Sequence, residues 1–233
     1  MATCKNCGAA LVDKGSYWQC PACFSRFDKF SSSPVSDVSL STCAANIYDQ
    51  NIKGVFEILN PDNGCVGSGF LVRKNIVVTN AHVVEDERRG REAKKILIRH
   101  QEKNYPCEVV YYGVPTSIKD IAILKLKSEI PDTNVLTLGD SCSVNNGDEV
   151  CAIGNSLGEG LCITKGIVSD KNRIVDGASF IMSDVTINGG NSGGPLFNQK
   201  GQVIAICVMG RKGAEGMKYF IPINVLKEIL RKF

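Results

Sequence analysis

Histidine is scarce in this chain of 233 residues: only His82 and His100 occur. Chemistry that needs an imidazole must therefore use one of these two positions. Charge of one sign is lacking too. The 27 Lys and Arg nearly balance 24 Asp and Glu, leaving +3, which by itself defines neither a nucleic-acid surface nor an anionic-membrane surface. No apolar run reaches 18 residues, so no membrane-spanning helix and no membrane partner are expected. The first residues, Met1-Ala2-Thr3-Cys4-Lys5, are not apolar, so no secretory signal is read there. On that ground the chain is expected in the cytoplasm, with reduced thiols.

Cysteine and glycine, by contrast, are plentiful: eleven and 23 residues. An odd number of Cys cannot all pair within one chain. Four of them form two C-x₂-C pairs, Cys4/Cys7 and Cys20/Cys23, separated by twelve residues. Thiolates at this spacing can close a tetrahedral Zn²⁺ site, each pair supplied by a tight turn. So short a segment cannot build a core, so the metal would supply its folding energy, on the order of 10 kcal/mol. A redox dithiol needs only one such pair, and no βαβ pattern surrounds these. The segment resembles a zinc ribbon, which implies structural Zn²⁺ on Cys4, Cys7, Cys20 and Cys23. The remaining Cys43, Cys65, Cys107, Cys142, Cys151, Cys162 and Cys207 read mostly as small buried hydrophobes.

Residues 30–42 are Ser-rich and without periodicity, a linker between a ribbon at 1–29 and a larger domain at 43–233. Thr42 is placed to cap a short helix through about Gln50. Beyond it come short β-like runs broken by Gly, Asn and Asp: Val55–Leu59, Gly69–Val72, Ile76–Thr79, Ile96–Arg99, Glu108–Tyr112, Ile121–Leu126, Glu149–Ile153, Leu161–Val168, Phe180–Ser183, Val203–Val208 and Lys218–Ile221. Such spacing predicts an all-β sandwich or barrel rather than βαβ units. The mixed-charge run Glu85–Lys95 reads as a solvated loop. At the end, Asn224 is a candidate N-cap, with Val225, Leu226, Ile229, Leu230 and Phe233 on one helical face.

Gly-x-Ser-x-Gly occurs at Gly154-Asn155-Ser156-Leu157-Gly158 and at Gly190-Asn191-Ser192-Gly193-Gly194. Both match the nucleophile elbow of α/β-hydrolases, but that fold needs Ser before His, and both His precede both Ser. The order His, Asp, Ser fits instead. His82 follows the apolar Ile76–Thr79 in a turn, whereas His100 runs into Gln-Glu-Lys-Asn, a solvated context. Asp120 directly precedes an apolar strand, where a carboxylate can hold an imidazole tautomer and stabilise the imidazolium. Glycines around Ser192 permit positive φ and close backbone approach, so the Gly190 and Ser192 amides can aim at one point as an oxyanion hole. Ser156 reads as a plain turn residue.

Thr79-Asn80-Ala81-His82, Asp120-Ile121-Ala122-Ile123-Leu124 and Gly190-Asn191-Ser192-Gly193-Gly194-Pro195-Leu196, in this order, closely resemble a trypsin-like serine protease of the HtrA/DegP type. Gly67-Ser68-Gly69-Phe70-Leu71 and Phe220-Ile221-Pro222 add to the likeness over residues 43–233. The resemblance implies two six-stranded antiparallel β-barrels with a C-terminal helix and a cleft between the barrels. It implies Ser192 as nucleophile, His82 as base then acid, and Asp120 as orienting acid, with no cofactor for catalysis. It further implies a substrate pocket with its wall at Cys207–Gly210, including Val208 and Gly210, and its floor near Thr186 and Met217. None of these is acidic, so small or medium apolar side chains are expected rather than Lys or Arg. Two departures stand out. The chain ends at Phe233, where that group usually continues into a PDZ domain. Asn191, not Asp, precedes the nucleophile, so activation through an ion pair with a new amino terminus is not expected.

The expectation is thus a serine endopeptidase acting on protein or peptide, its ribbon serving targeting or regulation through a protein partner. The rival is a catalytically silent trypsin-fold module whose ribbon binds a protein or nucleic acid. Lys5, Lys14, Arg26 and Lys29 give the ribbon only a mild basic excess over Asp13 and Asp28, so nucleic acid is the less favoured partner.

Overall fold

A computed structural model describes residues 3–4, 9–15, 17–22, 26–28, 44–210 and 217–233. The chain divides into two compact units, Met1–Leu40 and Ser41–Phe233. In the first, β1 (Val12–Asp13), β2 (Tyr17–Gln19) and β3 (Arg26–Asp28) form a three-stranded antiparallel sheet. The Gly15 amide donates to Asp13 Oδ1 at 2.8 Å, and Gly15 has φ +83°, so the turn from β1 to β2 uses a conformation that suits glycine. The Cys4 amide donates to Ala9 O at 2.8 Å, which folds the chain back just after Cys4.

The second unit opens with helix α1 (Ala44–Asn51). Its expected cap, Thr42, lies outside the described residues. The first barrel follows, made of β4 (Val55–Asn60), β5 (Cys65–Arg73), β6 (Ile76–Thr79), β9 (Ile96–His100), β10 (Lys103–Tyr112) and β11 (Ala122–Leu126). Between β6 and β9, β7 (Glu85–Asp86) and β8 (Arg91–Glu92) pair as a small hairpin. The charged run is therefore partly structured, because the buried Ala93 anchors its return by donating to Val84 O. The second barrel contains β12 (Glu149–Asn155), β13 (Leu161–Val175), β14 (Ala178–Ser183), β15 (Pro195–Phe197), β16 (Val203–Gly210) and β17 (Lys218–Pro222). The six strands of each set close in the orders β10-β11-β6-β5-β4-β9 and β12-β13-β14-β17-β16-β15, so neither barrel leaves an unpaired edge. Every ladder is antiparallel.

Several strands read as unbroken apolar runs because both of their faces are covered. In β4, Phe56 and Ile58 fill the first barrel while Val55 faces the core shared between the barrels. In β16, Ile204 and Cys207 fill the second barrel while Val203, Ile206 and Val208 join the shared core. That shared core also takes Phe70, Ile121, Ile153, Phe180 and Phe197. It therefore locks together the two halves whose loops form the site.

Helix α2 (Ile223–Leu230) ends the chain, with Ile223, Leu226 and Leu230 buried. Asn224 is not its N-cap; Pro222 holds that place. Asn224 lies inside the first turn and uses its side chain to donate to Asp140 Oδ1 at 2.8 Å, a bond strengthened by the charge of the acceptor. Phe233 is half exposed, with its ring edge-on to Tyr111 at 6.1 Å, and Arg73 Nη2 donates to Leu230 O at 3.2 Å. These contacts tie the last turn of the chain to the first barrel.

Phe220 is fully buried inside the second barrel. Phe220→Ala should therefore lower unfolding free energy by about 3–5 kcal/mol. Phe233→Ala should cost only about 1 kcal/mol, since it loses one exposed ring pair. Urea denaturation measures both, and equal losses would contradict this placement of the core.

Candidate active site

Strand pairing sets the first part of the site. In the β6–β11 ladder, Ala122 lies opposite Thr79. Continuing this antiparallel register brings Asp120 alongside the turn that starts at Asn80. Asp120 has no exposed surface, so its carboxylate must find donors inside the protein. His82 Nδ1 lies 2.6 Å from Asp120 Oδ2, the His82 amide donates to Oδ1 at 3.0 Å, and the Thr116 amide donates to Oδ2 at 3.3 Å. Asn80 Nδ2 donates to the Asp120 carbonyl at 2.6 Å, fixing the backbone behind the carboxylate. The His82 side chain keeps 28% of its surface exposed, so the ring is anchored at one edge and open on the cleft side.

The second part is the loop between β14 and β15. The Gly193 amide donates to Cys207 O, and the Cys207 amide donates to Gly194 O. Gly190 has φ +93°, and a Cβ there would stand 2.0 Å from Asn155 O. Gly193 has φ +84°, and a Cβ there would stand 2.3 Å from both Ser68 O and Thr79 Oγ1. Both positions demand glycine for conformation and for space. Leu157 donates its amide to Gly189 O at 2.7 Å, so the Gly189–Gly190 peptide turns its N–H away from that carbonyl. Among the described residues, the Gly190 and Ser192 amides donate to no protein acceptor. Ser192 Oγ donates to Val208 O at 3.0 Å; among the described residues it makes no hydrogen bond with His82. The loop nevertheless abuts the His82 turn, because a Cβ on Gly67 would meet both Val83 Cγ1, at 2.6 Å, and Ser192 O, at 3.2 Å.

The other expected residues distribute as follows. Val208 is buried and lines a cavity of about 480 Å³, together with the apolar Ile118, Ala178, Phe180 and Tyr219 and the acidic Asp176. Thr186, which is exposed, and Met217, which is half-buried, do not line it. Gly210 pairs with Lys218 in the β16–β17 ladder. Asn191 is buried, with its Oδ1 unpartnered among the described residues. Ser156 sits in a turn and accepts from Asn188 Nδ2. His100 is not simply solvated: it stacks edge-on against Phe56 at 5.5 Å, and burial lowers its pKa. Strand β9 extends one residue further than expected and carries this ring inward.

Cys151 and Cys207 are buried, and burial pushes the Cys207 thiol up to about 12. The partly buried Cys107 thiol reaches about 12 for the same reason. Cys142 and Cys162 are instead exposed, on a turn and on the outer face of β13. Cys43 lies outside the described residues. In the first unit Cys4 and Cys20 are both buried, while Cys7 and Cys23 lie outside the described residues. The most consequential residues not singled out individually from the sequence are Ser68, Thr116 and Leu157, which act through backbone or hydroxyl bonds. Only the Gly67-Ser68-Gly69 likeness marked one of them.

Gly177, in the β13–β14 turn, has φ +78° and open space where a Cβ would stand, whereas Gly193 has both positive φ and no space. Gly177→Ala should cost about 1–2 kcal/mol from backbone conformation alone. Gly193→Ala should cost clearly more, as read by urea denaturation. Equal losses would show that the loop yields to the added methyl.

A family model for the trypsin-like peptidase domain matches residues 67–206. A protein named probable periplasmic serine endoprotease DegP-like from Chlamydia trachomatis serovar D is 39% identical over 174 residues, covering 70% of this chain and 33% of the relative. A relative of the same name from Pseudomonas putida strain GB-1 is 38% identical over 171 residues, covering 70% and 34%. This chain thus spans about a third of the length of those curated relatives. Among solved structures, the HtrA-type protease AlgW with tripeptide superposes with a TM-score of 0.71 at 27% identity, covering 81% of this chain and 62% of that one. The serine endoprotease from Yersinia pestis gives 0.67 at 26%, covering 86% and 67%. The relatives are named periplasmic, which overturns the expectation of a cytoplasmic protein. That expectation rested on a few amino-terminal residues, with the reduced thiols as its consequence, whereas the residues that build the two barrels carry no signal of compartment. On its match over residues 67–206 and its two closed barrels, the chain belongs to the trypsin-like peptidase domain family.

Proposed function

We propose that this chain is a serine endopeptidase of the HtrA/DegP type that cleaves protein or peptide substrates through an acyl-enzyme. The observation that carries the reading is the wholly buried Asp120 carboxylate held 2.6 Å from His82 Nδ1. Occupying Nδ1 with a carboxylate fixes the tautomer that leaves Nε2 as a base. Ser192 Oγ gives up the Val208 carbonyl and passes its proton to His82 as it attacks the scissile carbonyl carbon. The C–N bond then breaks, and His82 returns the proton to the leaving amine. Water, deprotonated by the same imidazole, hydrolyses the ester. The uncommitted Gly190 and Ser192 amides receive the negative oxygen of each tetrahedral intermediate. Val208 and its apolar neighbours suit a small or medium apolar substrate side chain; none of Thr186, Val208, Gly210 and Met217 is acidic, and the one carboxylate lining the Val208 cavity is the exposed Asp176.

The first unit fits a structural zinc site. Cys4 and Cys20 are both buried in a unit whose described sheet strands are only two or three residues long. Sulfur donors buried in so small a unit suit Zn²⁺. Cys4, Cys7, Cys20 and Cys23 would hold the metal, which supplies folding energy and no catalysis. The ribbon would then serve as a targeting or regulatory module that contacts a protein partner.

A fluorophosphonate probe tests the catalytic reading. Wild-type protein should label covalently, Ser192→Ala should not, and Asp120→Asn should label or turn over about 10⁴-fold more slowly. Wild type that stays unlabelled would favour the silent binding module. Labelling that persists in Ser192→Ala would move the nucleophile elsewhere. For the ribbon, elemental assay should find about one zinc per chain, lost in the Cys4→Ser/Cys23→Ser variant; metal-free protein with a folded first unit would overturn the assignment.

A further inference from the structure

Ser68 lies in the middle of β5, in the first barrel, yet most of its hydrogen bonds cross to loops of the second. It is completely buried. Its amide donates to Ser192 O at 2.8 Å. Its Oγ donates to Gly190 O at 2.7 Å and accepts from the Asn155 amide at 2.8 Å. Its carbonyl accepts from Thr79 Oγ1 at 2.7 Å, three residues before His82. One residue therefore touches the Gly190–Ser192 loop twice, the turn that presents Leu157 once, and the strand that leads to His82 once.

We propose that Ser68 is a positioning residue for the reaction assigned above, its hydroxyl holding the peptide plane that follows Gly190 and so, with the Leu157 bond, the Gly190 amide that stabilises the oxyanion; this inference rests on that catalytic reading. Two peptide planes flank the Gly190 α-carbon. The first is held by the Leu157 amide on Gly189 O. The second is held by Ser68 Oγ on Gly190 O. With both carbonyls tied down, the Gly190 N–H has one orientation left, toward the cleft. Glycine itself supplies no such restraint, since it moves readily among backbone conformations. The same hydroxyl accepts from Asn155, whose carbonyl closes off the space beside Gly190. The oxygen thus holds the loop and its support at once. A backbone amide could not do this, because it cannot accept at the atom from which it donates. A hydroxyl has a donor and two lone pairs on one atom.

Without the hydroxyl, Gly190 O and the Asn155 amide are left buried and unpaired, which favours rotation of the loop to find other partners. The effect should fall on the transition state rather than on substrate binding, because the amides meet their full charge only in the tetrahedral intermediate.

The test uses acylation by p-nitrophenyl acetate together with fluorophosphonate labelling, on the full chain. Ser68→Ala should lower kcat by roughly 10²-fold, the loss typical of one oxyanion donor, with KM changed less than about threefold. Ser68→Cys keeps the side-chain shape with a weaker donor and acceptor; it should also lose kcat and covers the case in which Ser68→Ala does not fold. Ser183→Ala is the matched control. Ser183 is likewise a buried strand serine that donates to one carbonyl, Ile167 O, and accepts from one amide, that of Val185. It should lose comparable stability and keep its kcat. A folded Ser68 variant with kcat within about threefold of wild type, or a Ser183→Ala loss as large as that of Ser68→Ala, overturns the proposal. If wild type itself fails to label, the catalytic reading has failed, and the proposal falls with it for that separate reason.

Discussion

A carboxylate with no exposed surface must find its hydrogen-bond donors inside the protein, and Asp120 is in that position. Three N–H groups converge on it, from His82 Nδ1, from the His82 backbone and from Thr116. The Thr116 amide is local, but the two from His82 reach it because β6 and β11 are paired in the observed register. The register in turn depends on closure of the first barrel, since β11 sits between β10 and β6. Burial of one charge therefore links strand pairing directly to the orientation of an imidazole. It also explains why the ring can be firmly held and still face the cleft: all of its restraint comes from one edge.

The second half of the site is organised differently. Its loop has a few side-chain anchors, at Asp184, Asn188 and Ser192, but around the serine its shape is set by backbone. Gly190 and Gly193 occupy conformations that other residues resist, and the backbone around them fits against Asn155, Ser68 and Thr79 with no room for a methyl group. The loop is shaped by what lies behind it, and much of what lies behind it belongs to the other barrel. The shared core of Phe70, Ile121, Ile153, Phe180 and Phe197 thus does more than add stability. It sets the distance between the halves, and interiors packed to crystal-like density permit little drift.

Cysteine illustrates how one residue type divides by environment. Cys207 lies inside the second barrel with a thiol that burial keeps protonated, so it behaves as a small hydrophobe. Cys142 and Cys162 face solvent. Cys4 and Cys20 are buried in the small first unit.

The strand-rich class, most strand positions, the order His82, Asp120, Ser192 and the need for glycine around the serine can all be read along the chain. These are written in local patterns: alternation, turn residues and short motifs. Strand β15 is not legible there because three residues, Pro195–Phe197, carry too little periodicity to read. Asn224 reads as a cap but is not one, because its partner, Asp140, is distant in sequence. His100 reads as solvated because Phe56 is also distant in sequence. Folding adds that two closed barrels share a core, that Asp120 is fully buried, and that a serine in β5 bonds to a loop in the other barrel. Each of those facts is a contact between residues far apart in the chain. Local propensity cannot specify such contacts; they follow from how strands close and how apolar faces meet.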